Sequence, residues 1–160
     1  MRFSLALVAA YAAFAQAGVF TQQNYNDISI AGGVAGNAQE EALAVFSALD
    51  TNNLASADED DINFLKSVNK ICNQAEEQAF NPAIDDASGE AADALQRGKI
   101  KNKVLKLQAT ILRLQIQQAQ GEDVSDDMAT ETKKLNNNIQ QDEDEAGKAS
   151  TFLSFDATTA

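Results

Sequence analysis

The longest helical pattern in this sequence is Ile100-Lys-Asn-Lys-Val-Leu-Lys-Leu-Gln-Ala-Thr-Ile-Leu-Arg-Leu-Gln-Ile116. Its large apolar residues recur every three or four positions, which predicts an amphipathic helix. One stripe consists of Ile100, Val104, Leu107, Ile111 and Leu114, and a second of Leu105, Leu112 and Ile116. Two stripes imply neighbours on two sides. We therefore expect a helix from about Glu90 to Gln120 to be the central element of the fold.

The remainder of the chain also favours helix. It is rich in Ala, Leu, Gln, Glu and Lys, and Pro82 is its one proline. Asn37 and Glu40 have the spacing of a capping box, and so do Ser56 and Glu59. These pairs predict helices over about 38–49 and 58–80, and a sparse apolar stripe predicts a last helix from about 124 or 125 to 146.

The predicted fold class is all-α, an antiparallel helical bundle of about four helices with an irregular N-terminal segment and a short C-terminal tail. A chain of 160 residues suits one domain. The expected division of the chain is a signal peptide at 1–17, an irregular lead at 18–36, a helical bundle domain at 37–149 and a C-terminal tail at 150–160.

The first seventeen residues have the pattern of a secretory signal peptide. Arg2 precedes an apolar run from Phe3 to Phe14, and Ala15-Gln16-Ala17 has the small-x-small form of a cleavage site. We expect Ala15 and Ala17 to direct cleavage before Gly18. The apolar run is too short to cross a bilayer, so the prediction is a secreted, extracellular protein without a transmembrane segment.

Charge and composition exclude several classes of function. The chain has 24 acidic and 12 basic residues, a net charge of −12, which repels nucleic acid and favours a monomer. It has no histidine, so His-dependent hydrolysis and His-ligated zinc are excluded. Its one cysteine, Cys72, is expected to be a buried apolar residue. We predict no enzymatic activity, no cofactor and no metal.

Carboxylates are the remaining candidates for catalysis, and they occur in runs. The runs are Asp58–Asp61, Asp85-Asp86, Asp126-Asp127 and Asp142–Glu145. They lie at expected helix starts or on polar faces, so we interpret them as solvated, and a carboxylate-dependent hydrolase is the least favoured function. The acidic turn at 50–53 also lacks the glycine and glutamate of an EF-hand loop.

Two surfaces are candidates for binding. The third face of the long helix is basic and could receive an anionic ligand or a partner through Arg97, Lys99, Lys103, Lys106 and Arg113. The alternative, which we favour, is pairing with acidic faces of neighbouring helices. The tail carries Phe152, Leu153 and Phe155, which either dock on the bundle or contact an apolar partner. Large apolar side chains between the helices, Phe46, Phe64, Phe80 and Met128, could line an apolar ligand but are more simply core.

Several segments resemble a group of small secreted proteins of ascomycete fungi. These segments are 33–38, 80–84, 87–90, 92–96, 98–107 and 118–123. The group is functionally uncharacterised and of the candidate-effector type, so the resemblance implies a filamentous fungus and a role in the cell wall or at a host surface. We expect a secreted, non-enzymatic interaction protein with a protein, glycan or apolar partner. The alternative is a small carrier of lipid or another apolar ligand, or a binder of hydrophobic surfaces.

Overall fold

The computed structural model describes residues 18–159, so the predicted signal peptide, with Ala15 and Ala17, lies outside the described part of the chain. The helices are α1 (Tyr25–Ile28), α2 (Ala38–Val45), α3 (Glu59–Ala75), α4 (Asn81–Asp86), α5 (Glu90–Ala119) and α6 (Ser125–Asp144), with a 3-10 turn at Leu54–Ser56 and a π turn at Glu76–Phe80. Residues 18–159 form two isolated β-bridges but no strand. The predicted all-α helical bundle is confirmed.

Helix α5 is the central element of the bundle. It packs most extensively against α6 and α3, and more lightly against α2. Both predicted stripes are buried, and Val104, Leu105 and Ile116 are fully covered. Gly121, at φ +96°, lies in the turn that reverses the chain, so α6 returns along α5 as expected.

The start of α3 differs from the predicted capping box at Ser56. Residues 54–56 form a 3-10 turn, so the cap falls on Asp58, whose carboxylate accepts the Asp60 N–H at 2.7 Å. The Asp61 carboxylate in turn accepts the Asp58 N–H at 3.3 Å, which completes a capping box. At its far end α3 continues through the π turn, and Pro82 lies in the first turn of α4, where its missing N–H costs least.

Helix α2 is also capped differently from the prediction. Asn37 occupies the N-cap position, but its side chain makes no capping hydrogen bond, and the helix ends at Val45 rather than near Leu49. Asp142 of α6 caps the helix in place of the Asn37 side chain. One of its carboxylate oxygens accepts the Gly36 N–H at 2.9 Å and the Ala38 N–H at 2.8 Å. Asp142 is only 2 % exposed, so the prediction that the whole run 142–145 is solvated was wrong.

The lead and the tail lie side by side across the bundle, and we call residues 18–37 and 147–159 together the lead–tail layer. Backbone bridges join Asn24 to Thr158 and Val34 to Ala149 in antiparallel fashion. The lead is not wholly irregular, since it contains α1. From α1 the buried Tyr25 hydroxyl donates to Asn102 Oδ1 at 2.9 Å, which connects the layer to α5.

Candidate functional site

The basic face of α5 is divided by the fold, because Arg97 is buried beneath the tail. Its side chain is 4 % exposed and forms ion pairs with Glu90 and Glu145. Its Nε also donates to the Ala149 carbonyl. Hydrogen bonds from Lys148 and then from Arg97 lower the pKa of Glu145. Arg97 therefore holds the tail and is not on an open face.

Lys101 has a structural role that the sequence analysis did not predict. It is fully buried, and its Nζ donates to the carbonyls of Gly32 at 2.8 Å and Val34 at 3.0 Å. The same ammonium pairs with Glu41 of α2 at 2.8 Å. The signal in the sequence was its position between two apolar stripes, where a lysine must be buried with partners.

Of the other four basic residues of the predicted face, two make separate contacts and two come together. Lys99 donates to Asn81 Oδ1 of α4 at 3.1 Å, and Arg113 donates to Gln117 one turn along α5. Lys103 and Lys106 come together around one carboxylate, that of Glu76 at the end of α3, at 3.8 and 2.9 Å. Arg97 lines one depression in the surface with Glu145 and Lys148, whereas Lys103 and Lys106 together line a separate one.

That depression, which we call the polar groove, lies between α3, α5 and α6. Its volume is about 480 Å³, and it is open to solvent. The lining residues are Asn69, Asn73, Lys103, Lys106, Leu107, Glu131, Lys134, Asn137 and Asn138. Side-chain amides and ammonium groups dominate, and only Leu107 is apolar. The groove therefore offers many hydrogen-bond donors and little hydrophobic surface.

The groups in the polar groove are only partly occupied by contacts within the protein. Lys134 pairs with Glu131 at 2.7 Å, yet its side chain is 56 % exposed. Asn69 donates to Thr110 Oγ1 and Asn138 to the Lys134 carbonyl, which leaves their amide oxygens facing no donor within residues 18–159. These groups are available to a ligand.

Two of the acidic runs, 58–61 and 142–145, contain carboxylates with a structural role. Asp61 was expected to be solvated with its run, but it is 2 % exposed, because the third residue of α3 faces the lead. Its carboxylate accepts the Val19 N–H at 2.7 Å. In the described part of the chain, no group of three or more acidic or cysteine side chains is placed to hold a metal ion.

The tail residues differ in exposure. Phe155 is half-buried, with its ring edge-on to Tyr25 at a centroid separation of 5.8 Å. Leu153 is also half-buried, whereas Phe152 is 39 % exposed. The tail thus docks on the lead through Phe155 and leaves Phe152 at the surface.

The interior of the bundle is packed with its own side chains. Phe46, Phe64 and Phe80 are buried, and Phe20 of the lead stacks on Phe64 at 4.4 Å. Cys72 is free and buried, and burial raises the pKa of its thiol to about 12. A thiol in that state is a poor nucleophile at neutral pH.

The fold and the groove define a small all-α protein whose bundle is closed by a lead–tail layer. None of the helices in residues 18–159 is both long and apolar enough to span a membrane. Residues 20–154 match the family described as a domain of unknown function, DUF8454, and the chain belongs to that family. Comparisons with curated proteins and with solved structures gave no match.

Proposed function

We propose that the protein is exported, is cleaved after Ala17 and acts outside the cell as a non-enzymatic binding protein, with the polar groove as its binding surface. The setting we propose is the cell wall of a filamentous fungus or the surface of its host, in line with the small secreted fungal proteins that the sequence resembles. The observation that carries the proposal is the combination of four amides and three ammonium groups in one open groove.

The chemistry of the groove favours an acidic oligosaccharide. Its three lysines share two carboxylates, those of Glu76 and Glu131, so one positive charge is not compensated locally. On a chain of net charge −12, this is a favourable place for an anion. Asparagine amides both donate and accept, which suits sugar hydroxyls. A chain of uronic acid units presents carboxylates and hydroxyls together.

Three features support binding rather than catalysis. The chain has no histidine. The buried carboxylates of Asp61 and Asp142 are engaged by backbone N–H groups. The thiol of Cys72 is buried and protonated at neutral pH. Carriage of an apolar ligand has less support, because Phe20, Phe46 and Phe64 pack on one another.

Binding can be tested by titrating the protein that begins at Gly18 with a uronic acid oligomer and with the neutral oligomer of the same linkage. We expect saturable binding of the acidic oligomer only. Lys134→Gln should weaken it about fivefold, since an exposed charge contributes up to about 1 kcal/mol. Lys133→Gln is the matched control: it removes the same charge from the neighbouring residue of α6, outside the groove, and should leave affinity unchanged.

Equal effects of the two lysine substitutions, or equal binding of the acidic and neutral oligomers, would contradict the groove as the site. Export is tested separately, by sequencing the amino terminus of protein recovered from culture fluid. We expect Gly18 as the first residue.

A further inference from the structure

The start of the described chain lies against a buried carboxylate. Asp61 Oδ1 accepts the N–H groups of Val19 at 2.7 Å and Phe20 at 3.3 Å, and Oδ2 accepts that of Asp58 at 3.3 Å. None of the ion pairs within residues 18–159 includes Asp61. The negative charge is therefore held by neutral donors alone.

The neighbours of this carboxylate increase its need for a cation. Asp58 is the N-cap of α3, Asp60 lies in its first turn, and Asp50 lines the small cavity beside Val19. That cavity has no lysine or arginine in its lining. A buried carboxylate without a counter-charge is costly, and a cation within about 4–6 Å stabilises the ionised form.

Gly18 is placed to supply that cation. A Cβ built on Gly18 would lie 2.7 Å from Asp61 Oδ1 and 3.0 Å from the Cβ of Asp60, so the Gly18 backbone lies close to both acids and a larger residue would displace them. The Cβ and the backbone nitrogen of a residue are about 2.5 Å apart, which puts the Gly18 nitrogen within about 5 Å of Asp61 Oδ1.

We propose that export creates the missing counter-charge: the α-ammonium of Gly18 forms an ion pair with Asp61 and fixes the lead on α3. Hydrolysis of the Ala17–Gly18 peptide bond by water leaves a carboxylate on Ala17 and an amine on Gly18, which is protonated at neutral pH. The inference rests on the cleavage in the proposed function and is independent of the groove. The processed chain is then more stable than its precursor.

The experiment compares two purified forms of the protein. The short form begins at Gly18, and the long form retains residues 15–17, which moves the ammonium about 10 Å along the chain. At pH 6 and low salt we expect the short form to melt about 3 °C higher. In Asp61→Asn, whose amide oxygen can still accept the Val19 and Phe20 N–H groups, the difference between the forms should fall below about 1 °C.

Glu59→Gln is the matched control. It removes a carboxylate from the same turn of α3, but one whose side chain faces Lys66 at 3.7 Å, so the full difference between the forms should remain. A second readout needs no substitution: the Gly18 amine, followed by NMR, should titrate at a higher pH than the same amine in an unfolded peptide. The stabilisation by the ion pair is then complete below about pH 7.7, the ordinary pKa of an α-amine. It is lost as the pH rises through the higher pKa of this amine in the folded protein.

Equal melting temperatures of the short and long forms, or an amine that titrates as in a peptide, overturn the ion pair. A difference that persists in Asp61→Asn also overturns it. If the secreted protein begins at a residue other than Gly18, the proposed cleavage, on which this inference rests, is wrong. If the oligosaccharide does not bind, only the proposal for the polar groove is wrong.

Discussion

The helical bundle and the lead–tail layer are held together by different kinds of contact. In the bundle, α3 and α6 pack on α5 through aliphatic side chains such as Leu105 and Ile116. The layer also makes apolar contacts, such as that of Phe20 with Phe64, but in addition charged side chains of the helices bind its backbone groups. Lys101 and Arg97 donate to carbonyls of the layer, while Asp61 and Asp142 accept its N–H groups.

This difference indicates which substitutions the molecule tolerates. Apolar contacts are spread over many atoms, so volume-conserving changes in the bundle should cost little. Each charged contact depends on one or two atoms, and its loss leaves a buried partner without a hydrogen bond. Substitutions at these charged residues should therefore release the layer while the helices remain folded.

The largest effect is expected for Lys101→Met, which keeps the length of the side chain but removes the ammonium. The carbonyls of Gly32 and Val34 and the carboxylate of Glu41 would then lose their shared donor. Breaking a buried pair by removing one partner costs about 3–5 kcal/mol, and we expect about 3 kcal/mol because Glu41 is partly exposed. Urea unfolding followed by circular dichroism measures the free energy of unfolding.

Lys103→Met provides the control for this comparison. Lys103 lies on the same helix with a side chain that is 34 % exposed, 3.8 Å from Glu76. Its substitution should cost less than about 1 kcal/mol. Equal losses from the two substitutions would mean that Lys101 does not hold the layer.

The bundle was predictable from the sequence because its signal is local. The expected helix from Glu90 to Gln120 ends within one residue of α5, and the expected start of the last helix matches Ser125. Apolar periodicity reports burial directly, whichever residues a helix packs against. The all-α fold follows from that periodicity.

The layer was not predictable, because its contacts join distant parts of the chain. Asp142 caps α2 across 104 positions, and Gln23 binds Thr159 across 136. Their acceptors and donors are mostly backbone groups, which every residue has, so no residue pattern identifies them. A buried aspartate inside an acidic run has the same sequence signature as a solvated one.

The same limit applies to the candidate site. The sequence placed Lys103 and Lys106 on one helix face, but the polar groove also needs residues of α3 and α6. Asn69 and Asn137 carry no periodic signal, since asparagine is common on any polar helix face. Only the packing of three helices brings their amides together.

A smaller effect is expected at the contact between the tail and α5. A Cβ on Gly98 would lie 2.1 Å from the Thr151 carbonyl oxygen and 3.1 Å from the Phe80 ring. In Gly98→Ala, displacing the tail should cost about 3 kcal/mol, and the higher helix propensity of alanine should regain about 1 kcal/mol, a net loss of about 2 kcal/mol. Hydrogen exchange should show faster exchange of the Thr151 amide, which donates to Ala94 at 2.9 Å.

A gain in stability from Gly98→Ala would contradict this close approach. It would show that only helix propensity changed and that the tail does not press on α5. The amides in the middle of α5 are the internal control. Their hydrogen exchange should be unchanged, because the bundle should keep its own packing.

The smallest expected effect is a loss of stability at high pH, caused by groups buried inside the bundle. Burial raises the pKa of Cys72 from 9.0 to about 12, so between these values the unfolded chain loses a proton that the folded chain keeps. Stability should therefore be unaffected by this group below about pH 9 and should fall as the pH rises, by roughly 1 kcal/mol at pH 10. Burial also raises the pKa of Tyr25, which adds to the loss from its ordinary value of 10.0 upward.

Cys72→Ala separates the two groups. Its free energy of unfolding at pH 7 should be lower, because a cavity remains, but the decline between pH 9 and pH 10 should be flatter than in the unmodified protein. Tyr25→Phe should keep the decline due to Cys72, which begins near pH 9 and continues toward pH 12, and should lose only the additional decline above pH 10 that Tyr25 contributes. If the slope between pH 9 and pH 10 is the same with and without the thiol, Cys72 is reachable by water, and the bundle is as open to local unfolding as the layer.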